Sequence, residues 1–340
     1  MKYLLTGGRG FIGSWVSKTL EQAGHEVLVL SNLSHPSKLS DGREYIYGDV
    51  RYEYDVDKAV KLVDCVIHLA ARINVDRSRE SARPFFDTNI LGTFNVLEAC
   101  RKFKKKMIHA STSEALGSMQ KRYSSKFIKN EEIFEHLNFY GMSESHPYSP
   151  DNPYGATKAA ADMLCIGWYK SYDVDVTLLR SFNVCGTGQA YDNEGGFIPK
   201  CIKKIINNEN PVIFGAGDQT RDYVWVGDVA KAYLLLSQAD YAGQIYHTGT
   251  GREVSIKYVA ETLIKISGKD LRIDFVGSRP KEVKRLKCDA SKIKALSWQS
   301  TKTIEDVLED MYDLAMAEKV GVTDLGNSVK KVRDGMEARA

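Results

Sequence analysis

Ser111-Thr112-Ser113-Glu114 sets three hydroxyls and a carboxylate directly after the apolar segment MIHA (107–110). Hydroxyl clusters of this kind commonly bond nearby backbone groups and mark turns or helix caps. The glutamate poses the chemical question, because it either caps such a turn or acts on a bound molecule. Tyr154 and Lys158 form a second set: four apart on a helix, they share one face. A third set is TGGRGFIGS (6–14), in which Gly7, Gly10 and Gly13 follow an apolar strand and open a helix. Glycines at that spacing permit a tight turn, a close backbone approach to a pyrophosphate and tight helix–strand packing. The helix N-terminus beyond them offers free N–H groups and a positive dipole end to phosphates.

The elements that must position these residues are legible from hydrophobic pattern. KYLLT (2–6), EVLVL (26–30), CVIHLA (65–70), MIHAS (107–111) and DVTLLR (175–180) read as short, continuously apolar strands. Helices are predicted over 11–23, 55–63, 88–103 and 153–172. Alternation of this kind implies an α/β fold, a doubly wound parallel sheet covered by helices on both faces. After Arg180 the pattern changes, and a smaller, interleaved C-terminal lobe is expected. The predicted division is a dinucleotide-binding domain over 1–182 joined by about 222–250, a second lobe over 183–221 and 251–320, and a peripheral tail over 321–340. The stretch 118–150 is a long polar excursion, a lid or a partner surface.

The second predicted strand runs into LVLSNLS, so Ser31 stands where an acidic residue ordinarily holds the adenosine ribose of NAD. Arg9, inside the glycine loop, would suit the 2′-phosphate of NADP. Alternatively, Ser31 and Asn32 bond the ribose diol of NAD without a charge. NAD is the expected cofactor and NADP the alternative.

Composition narrows the function classes. The chain has 340 residues, 43% hydrophobic and 27% charged, with a net charge of +3, which is ordinary for a globular protein. The one dense basic run, RKFKKK (101–106), has no nucleic-acid motif around it and solvates a helix end, so no nucleic-acid partner is expected. Six cysteines lack a CxxC pair and seven histidines lack ligand spacing, so reduced thiols and no metal are expected. No signal-peptide-like segment and no apolar run of membrane-spanning length is found. A soluble, cytoplasmic protein with no membrane partner is predicted.

Several stretches converge on one family. TGGRGFIG (6–13), GDV (48–50), HLAA (68–71), NILGTFNVLEA (89–99), STSE (111–114), PYGATKAAAD (153–162), RSFNVCGTGQ (180–189), TRDYVWVGDVA (220–230) and RPKEVKRLKCDASK (279–292) run in the family's order. The chain resembles the extended short-chain dehydrogenase/reductases, specifically the nucleotide-sugar epimerases and dehydratases. The resemblance implies a Rossmann domain with a smaller sugar-nucleotide lobe. It places Gly7, Gly10, Phe11, Ile12, Gly13, Ser31, Asn32, Asp49, Val50, Leu69, Ala70 and Ala71 along the cofactor. Asn89 supports the active-site backbone. Asn183, Arg221 and Arg279 match positions that hold the nucleotide diphosphate, for which arginine forks are suited. Leu116 departs from the family's frequent tyrosine, so an aromatic contact near the sugar is expected to be missing.

The resemblance also implies roles. Tyr154 is the base for the sugar 4-hydroxyl, Lys158 its partner and a cofactor ligand, and Thr112 a hydrogen-bond donor to that oxygen. A free tyrosine titrates near ~10, so work near neutrality requires it to ionise roughly three pH units lower. An ammonium about 4 Å away supplies roughly that at an effective dielectric near 20, and the nicotinamide ring would add to it. Oxidation at C4 acidifies the C5 proton, which Glu114 would remove while Ser113 assists departure of the C6 hydroxyl. That is a 4,6-dehydratase acting on a nucleotide-diphosphate sugar. The alternative is a UDP-sugar 4-epimerase, which needs no such carboxylate. A UDP-glucuronate decarboxylase would require a cation that CGTGQ (185–189) does not offer, and a non-catalytic cofactor-binding module would not need Thr112, Tyr154 and Lys158 together. Helices 88–103 and 153–172 carry small and apolar surface, and family members pair them, so a homodimer is expected.

Overall fold

The computed structural model describes residues 1–32, 43–119, 141–191, 196–278 and 283–320. The chain divides into two compact units, the first comprising Met1–Val184, Arg221–Glu253 and Lys281–Ser300. The core of that unit is a seven-stranded parallel sheet. Its strands are β1 (Lys2–Thr6), β2 (Glu26–Ser31), β3 (Glu44–Tyr47), β4 (Cys65–His68), β5 (Lys106–Thr112), β6 (Val176–Ser181) and β7 (Ile245–Thr248), ordered β7-β6-β5-β4-β1-β2-β3. Every residue of β4 and β6 is buried. That explains why both read as unbroken apolar runs rather than alternating ones.

Successive side chains point to opposite faces, so each strand feeds two cores. Tyr3, Leu5, Val29, Ile67 and Ile108 pack on one side with Val16, Leu20, Val229 and Tyr233. Leu4, Leu28, Val66, Met107 and Val176 pack on the other with Val56, Val60, Val96 and Leu97. Register places Thr6 beside His68, His68 beside His109, and Thr112 beside Ser181. The C-terminal ends of β1, β4 and β5 thus lie along one edge, with the strand order reversing between β1 and β4. In open α/β sheets that crevice is where ligands bind.

Several element boundaries differ from the sequence expectations. Phe86–Leu91 is a π-helical turn that runs into the α-helix Gly92–Phe103, where one helix over 88–103 was expected. Such wide turns are rare and recur at functional sites. Beyond Arg180 two segments begin as strands, Thr220–Trp225 and Glu253–Ser255. Each then becomes a helix, Val226–Ser237 and Ile256–Ser267. Residues 281–300, expected in the second lobe, belong to the first unit.

The second unit comprises Cys185–Thr220, Val254–Pro280 and Thr301–Ala340. Helices Phe197–Ile206, Ile256–Ser267 and Ile304–Val320 pack together, burying Ile198, Ile202, Val259, Leu263, Leu308 and Met311. Val212–Phe214 pairs in parallel with Asp274–Val276. Most of the 118–150 excursion, the 321–340 tail and Arg279 lie outside the described residues.

Candidate active site

The glycine loop after β1 needs its glycines for two separate reasons. Gly7 sits at φ +72°, where L side chains are strained, and a Cβ there would lie 2.8 Å from the Ala70 nitrogen. At Gly13 a Cβ would lie 2.3 Å from the Gly7 carbonyl oxygen. The helix Phe11–Gln22 begins at Gly10 with no capping side chain and no acidic residue in its first turn. Its N-terminal N–H groups and dipole therefore suit an anion, and the cradle fits the pyrophosphate of a dinucleotide. Phe11 and Ile12 form the first turn of that helix, half-buried.

Thr6 fixes the neighbouring wall. Its hydroxyl bonds His68 Nδ1 at 2.7 Å and accepts from the Ala70 N–H at 3.2 Å, which holds the half-buried Leu69–Ala71 stretch against Gly7. Burial, then the Lys158 charge, drives the His68 imidazole down to about 3, so it stands neutral. Ser31, half-buried, ends β2, and Asn32 Nδ2 donates to Asp49 Oδ2 at 2.9 Å. Arg51 grips the same carboxylate at 3.0 and 2.8 Å. Burial pushes the Asp49 carboxyl up, but the Arg51 and Asn32 hydrogen bonds outweigh it and bring it to about 2. Val50 is buried, its carbonyl accepting from Asn95 Nδ2 at 2.9 Å. Arg9 is half-buried in the glycine loop.

Asn89 lies in the π-helical turn and is almost wholly buried. Its Oδ1 accepts from the Arg72 N–H at 2.8 Å, and its Nδ2 donates to the Arg72 carbonyl at 3.0 Å and to Thr157 Oγ1 at 2.9 Å. Thr157 in turn donates to the Tyr154 carbonyl at 2.8 Å. One amide thereby ties the loop after β4 to the helix Pro153–Tyr172 beside Tyr154.

The structure brings Thr112, Glu114, Tyr154 and Lys158 together. Thr112 ends β5, and its hydroxyl accepts from the Glu114 N–H at 3.3 Å, opening a 3₁₀ turn over Ser113–Ala115. Ser113 is buried in that turn. Tyr154 is 8% exposed; its ring packs edge-on against Phe85 with centroids 6.4 Å apart, and its N–H donates to Ser78 Oγ at 3.2 Å. Lys158, 4% exposed, donates to the Ala110 carbonyl. Burial draws its ammonium below the ordinary range while the Asp162 carboxylate pulls the other way.

One expectation needs correction. The Tyr154 phenol stands above its ordinary range in this structure rather than below it. Burial and the Glu114 charge push the phenol well above its ordinary range, opposed by the Thr112 hydrogen bond. The lysine donates to the β5 backbone at Ala110, and burial dominates at the phenol. Leu116 follows Ser113–Ala115 as the C-cap of the 3₁₀ turn. It is fully buried with Met119, Met142 and Leu286, so its side chain belongs to the core.

Sequence reasoning missed two positions. Asn152 donates through Nδ2 to Glu114 Oε2 at 2.9 Å and accepts the Gly155 N–H at 2.8 Å. The signal for the second bond was present, an Asn before Pro153 at a helix start. Asp162 is fully buried, and its Oδ2 takes Ser111 Oγ at 2.8 Å, Arg180 Nε at 3.0 Å and Tyr148 OH at 3.2 Å. It ties β5, β6 and the segment before the helix to the face that carries Tyr154 and Lys158. Of the expected phosphate ligands, Asn183 has its Oδ1 buried without a hydrogen-bond partner among the described residues, and Arg221 is half-buried. Arg221 precedes Asp222, a buried carboxylate that accepts from the backbone of Thr250, Gly251 and Cys288.

A model described as the NAD dependent epimerase/dehydratase family matches residues 3–249. The dTDP-glucose 4,6-dehydratase of Mycobacterium tuberculosis is 31% identical over 278 residues, 79% of this chain and 78% of that protein. The crystal structure of the Thermotoga maritima UDP-glucose 4-epimerase with UDP-glucose superposes with a TM-score of 0.83 at 28% identity, covering 94% of this chain and all of that one. DesIV, a dTDP-glucose 4,6-dehydratase from Streptomyces venezuelae with NAD bound, gives a TM-score of 0.82 at 26% identity, covering 95% and 99%.

Proposed function

This chain belongs to the NAD dependent epimerase/dehydratase family, and from that premise we propose that it is a nucleotide-sugar 4,6-dehydratase working through a 4-keto sugar, with NAD as cofactor. The observation that carries the reading is the Glu114 carboxylate, held beside Thr112 and Tyr154 by Asn152. Gly7, Gly10 and Gly13, the first turn at Phe11 and Ile12, Ser31, Asn32, Asp49, Val50 and Leu69–Ala71 would hold the cofactor, with Lys158 at its reactive end. When bound, the nicotinamide supplies a reversible hydride acceptor.

Tyr154 takes the proton of the sugar 4-hydroxyl, and Thr112 hydrogen-bonds that oxygen as the C4 carbonyl forms. The carbonyl acidifies C5–H, and Glu114 removes that proton. Ser113 hydrogen-bonds the departing C6 oxygen, which leaves as water with the proton Glu114 has taken; return of the C4 hydride to C6 and of a solvent proton to C5 would then complete a 4-keto-6-deoxy sugar lighter by one water. Asn183, Arg221 and Arg279 would hold the diphosphate. The 4-epimerase reading rests on the Thermotoga structure and leaves Glu114 without a chemical role. Mass spectrometry of the product from UDP-glucose and dTDP-glucose decides between them. A product lighter by one water is expected; a product of unchanged mass with C4 inverted and no C5 exchange with solvent overturns the reading.

The same reading includes a homodimer formed through helices Gly92–Phe103 and Pro153–Tyr172, and a place in the cytoplasm. Six buried cysteines support a reducing compartment, and among the described residues no helix is long and apolar enough to cross a membrane.

A further inference from the structure

Asn152 does more than a helix cap requires. A cap needs one acceptor for a free N–H, and Ser, Thr or Asp supply that as well as Asn does. Asn152 Oδ1 fills this role for Gly155 at 2.8 Å. The surplus is its NH₂ group, which donates to Glu114 Oε2 at 2.9 Å across 38 residues of sequence. The amide orientation follows from its partners, because the flipped form would set oxygen against a carboxylate and NH₂ against an N–H. Asn152 is 7% exposed, so both bonds form out of bulk water.

The choice of donor has a chemical consequence. A lysine or arginine at this place would bind the carboxylate harder, but its charge would make the carboxylate a weaker base. A neutral amide aims the carboxylate and leaves its negative charge in place. The same side chain caps the helix on which Tyr154 stands two residues later. We propose that Asn152 is a positioning residue for Glu114, its two amide ends setting the C5 base and the tyrosine helix in one frame. This rests on the dehydratase reading of Glu114.

The test uses the full chain with its cofactor, UDP-glucose and dTDP-glucose as probes, and the variants Asn152→Asp and Asn152→Ser. Both keep a good cap; Asn152→Ser should stay near the wild-type thermal midpoint, and Asn152→Asp should approach it at a pH low enough to protonate one of the two facing carboxyls. C4 oxidation is read as absorbance of the reduced nicotinamide, and the C5 step as deuterium uptake and water loss across pH. In Asn152→Asp a second carboxylate faces Glu114 and raises the pH at which it ionises. C5 exchange should fall about tenfold at acid pH and recover toward neutrality, because below its midpoint a carboxyl that ionises one pH unit higher is about tenfold less ionised. Asn152→Ser removes the donor without adding charge, and should lower kcat of the C5 step with a smaller upward move of its pH midpoint than in Asn152→Asp and KM unchanged. The C4 step should fall far less than the C5 step in both. A C5 profile for Asn152→Asp that overlays wild type overturns the proposal, as does equal loss of both steps in a folded variant. Wild-type enzyme that neither loses water nor exchanges C5 hydrogen defeats the dehydratase reading itself, and this inference with it.

Discussion

Glu114 sits close enough to Tyr154 for its charge to raise the phenol, so the two groups cannot be altered independently. Glu114→Gln keeps the shape and removes the charge. It should block water loss and C5 exchange, a general-base defect of about 10²- to 10⁴-fold. It should also make Tyr154 easier to ionise, because a negative neighbour disfavours the phenolate. The pH limb of C4 oxidation should therefore move to lower pH in Glu114→Gln, seen as faster nicotinamide reduction below the wild-type midpoint. A limb that stays in place would separate the two residues electrostatically and leave Glu114 as a turn residue. Neither the adjacency of these groups nor the neutral donor at Asn152 was readable from STSE or YxxxK alone.

The helix Pro153–Tyr172 is the element on which the site depends. Its boundaries were legible to the residue, because Asn-Pro is a strong local start signal and the apolar face runs on to Tyr172. How closely it approaches the turn after β5 was not legible. At Gly155 a Cβ would lie 2.5 Å from the Glu114 carbonyl oxygen. Helix propensity alone would favour Gly155→Ala by about 1 kcal/mol. The clash is with backbone, which cannot rotate away, and overpacking of this kind costs roughly 1–3 kcal/mol. Overpacking should win. Gly155→Ala should lower the denaturation midpoint and slow the C5 step by displacing Glu114; an unchanged midpoint would show that the turn yields at no cost.

At the scale of the molecule, the packed helices Gly92–Phe103 and Pro153–Tyr172 present Phe94, Met163 and Tyr172 to solvent. Trp168 lies edge-on to both Phe94 and Tyr172, with centroids 5.7 Å apart in each case. Ala159 on the second of these helices is buried, so the patch is aromatic more than small. An exposed aromatic ridge of this kind suits self-association. Light scattering at micromolar concentration should give about twice the 38.1 kDa chain mass, and Met163→Glu, placing a charge in the patch, should shift the protein toward monomer. A monomeric wild-type mass would remove the dimer from the proposed function.

Periodicity, glycine geometry and cap chemistry act over a few residues, and on those the sequence by itself determined the strand–helix alternation, the parallel sheet, the phosphate cradle and the helix with Tyr154 and Lys158. What only the tertiary structure decided depends on contacts across long stretches of chain. Asn152 reaches Glu114 over 38 residues and Ser111 reaches Asp162 over 51, and both depend on how the helix lies against the end of β5. The assignment of 281–300 to the first unit follows likewise from where Leu286 and Cys288 bury. A hydrophobic pattern shows that such residues must be buried. Register and packing decide against what.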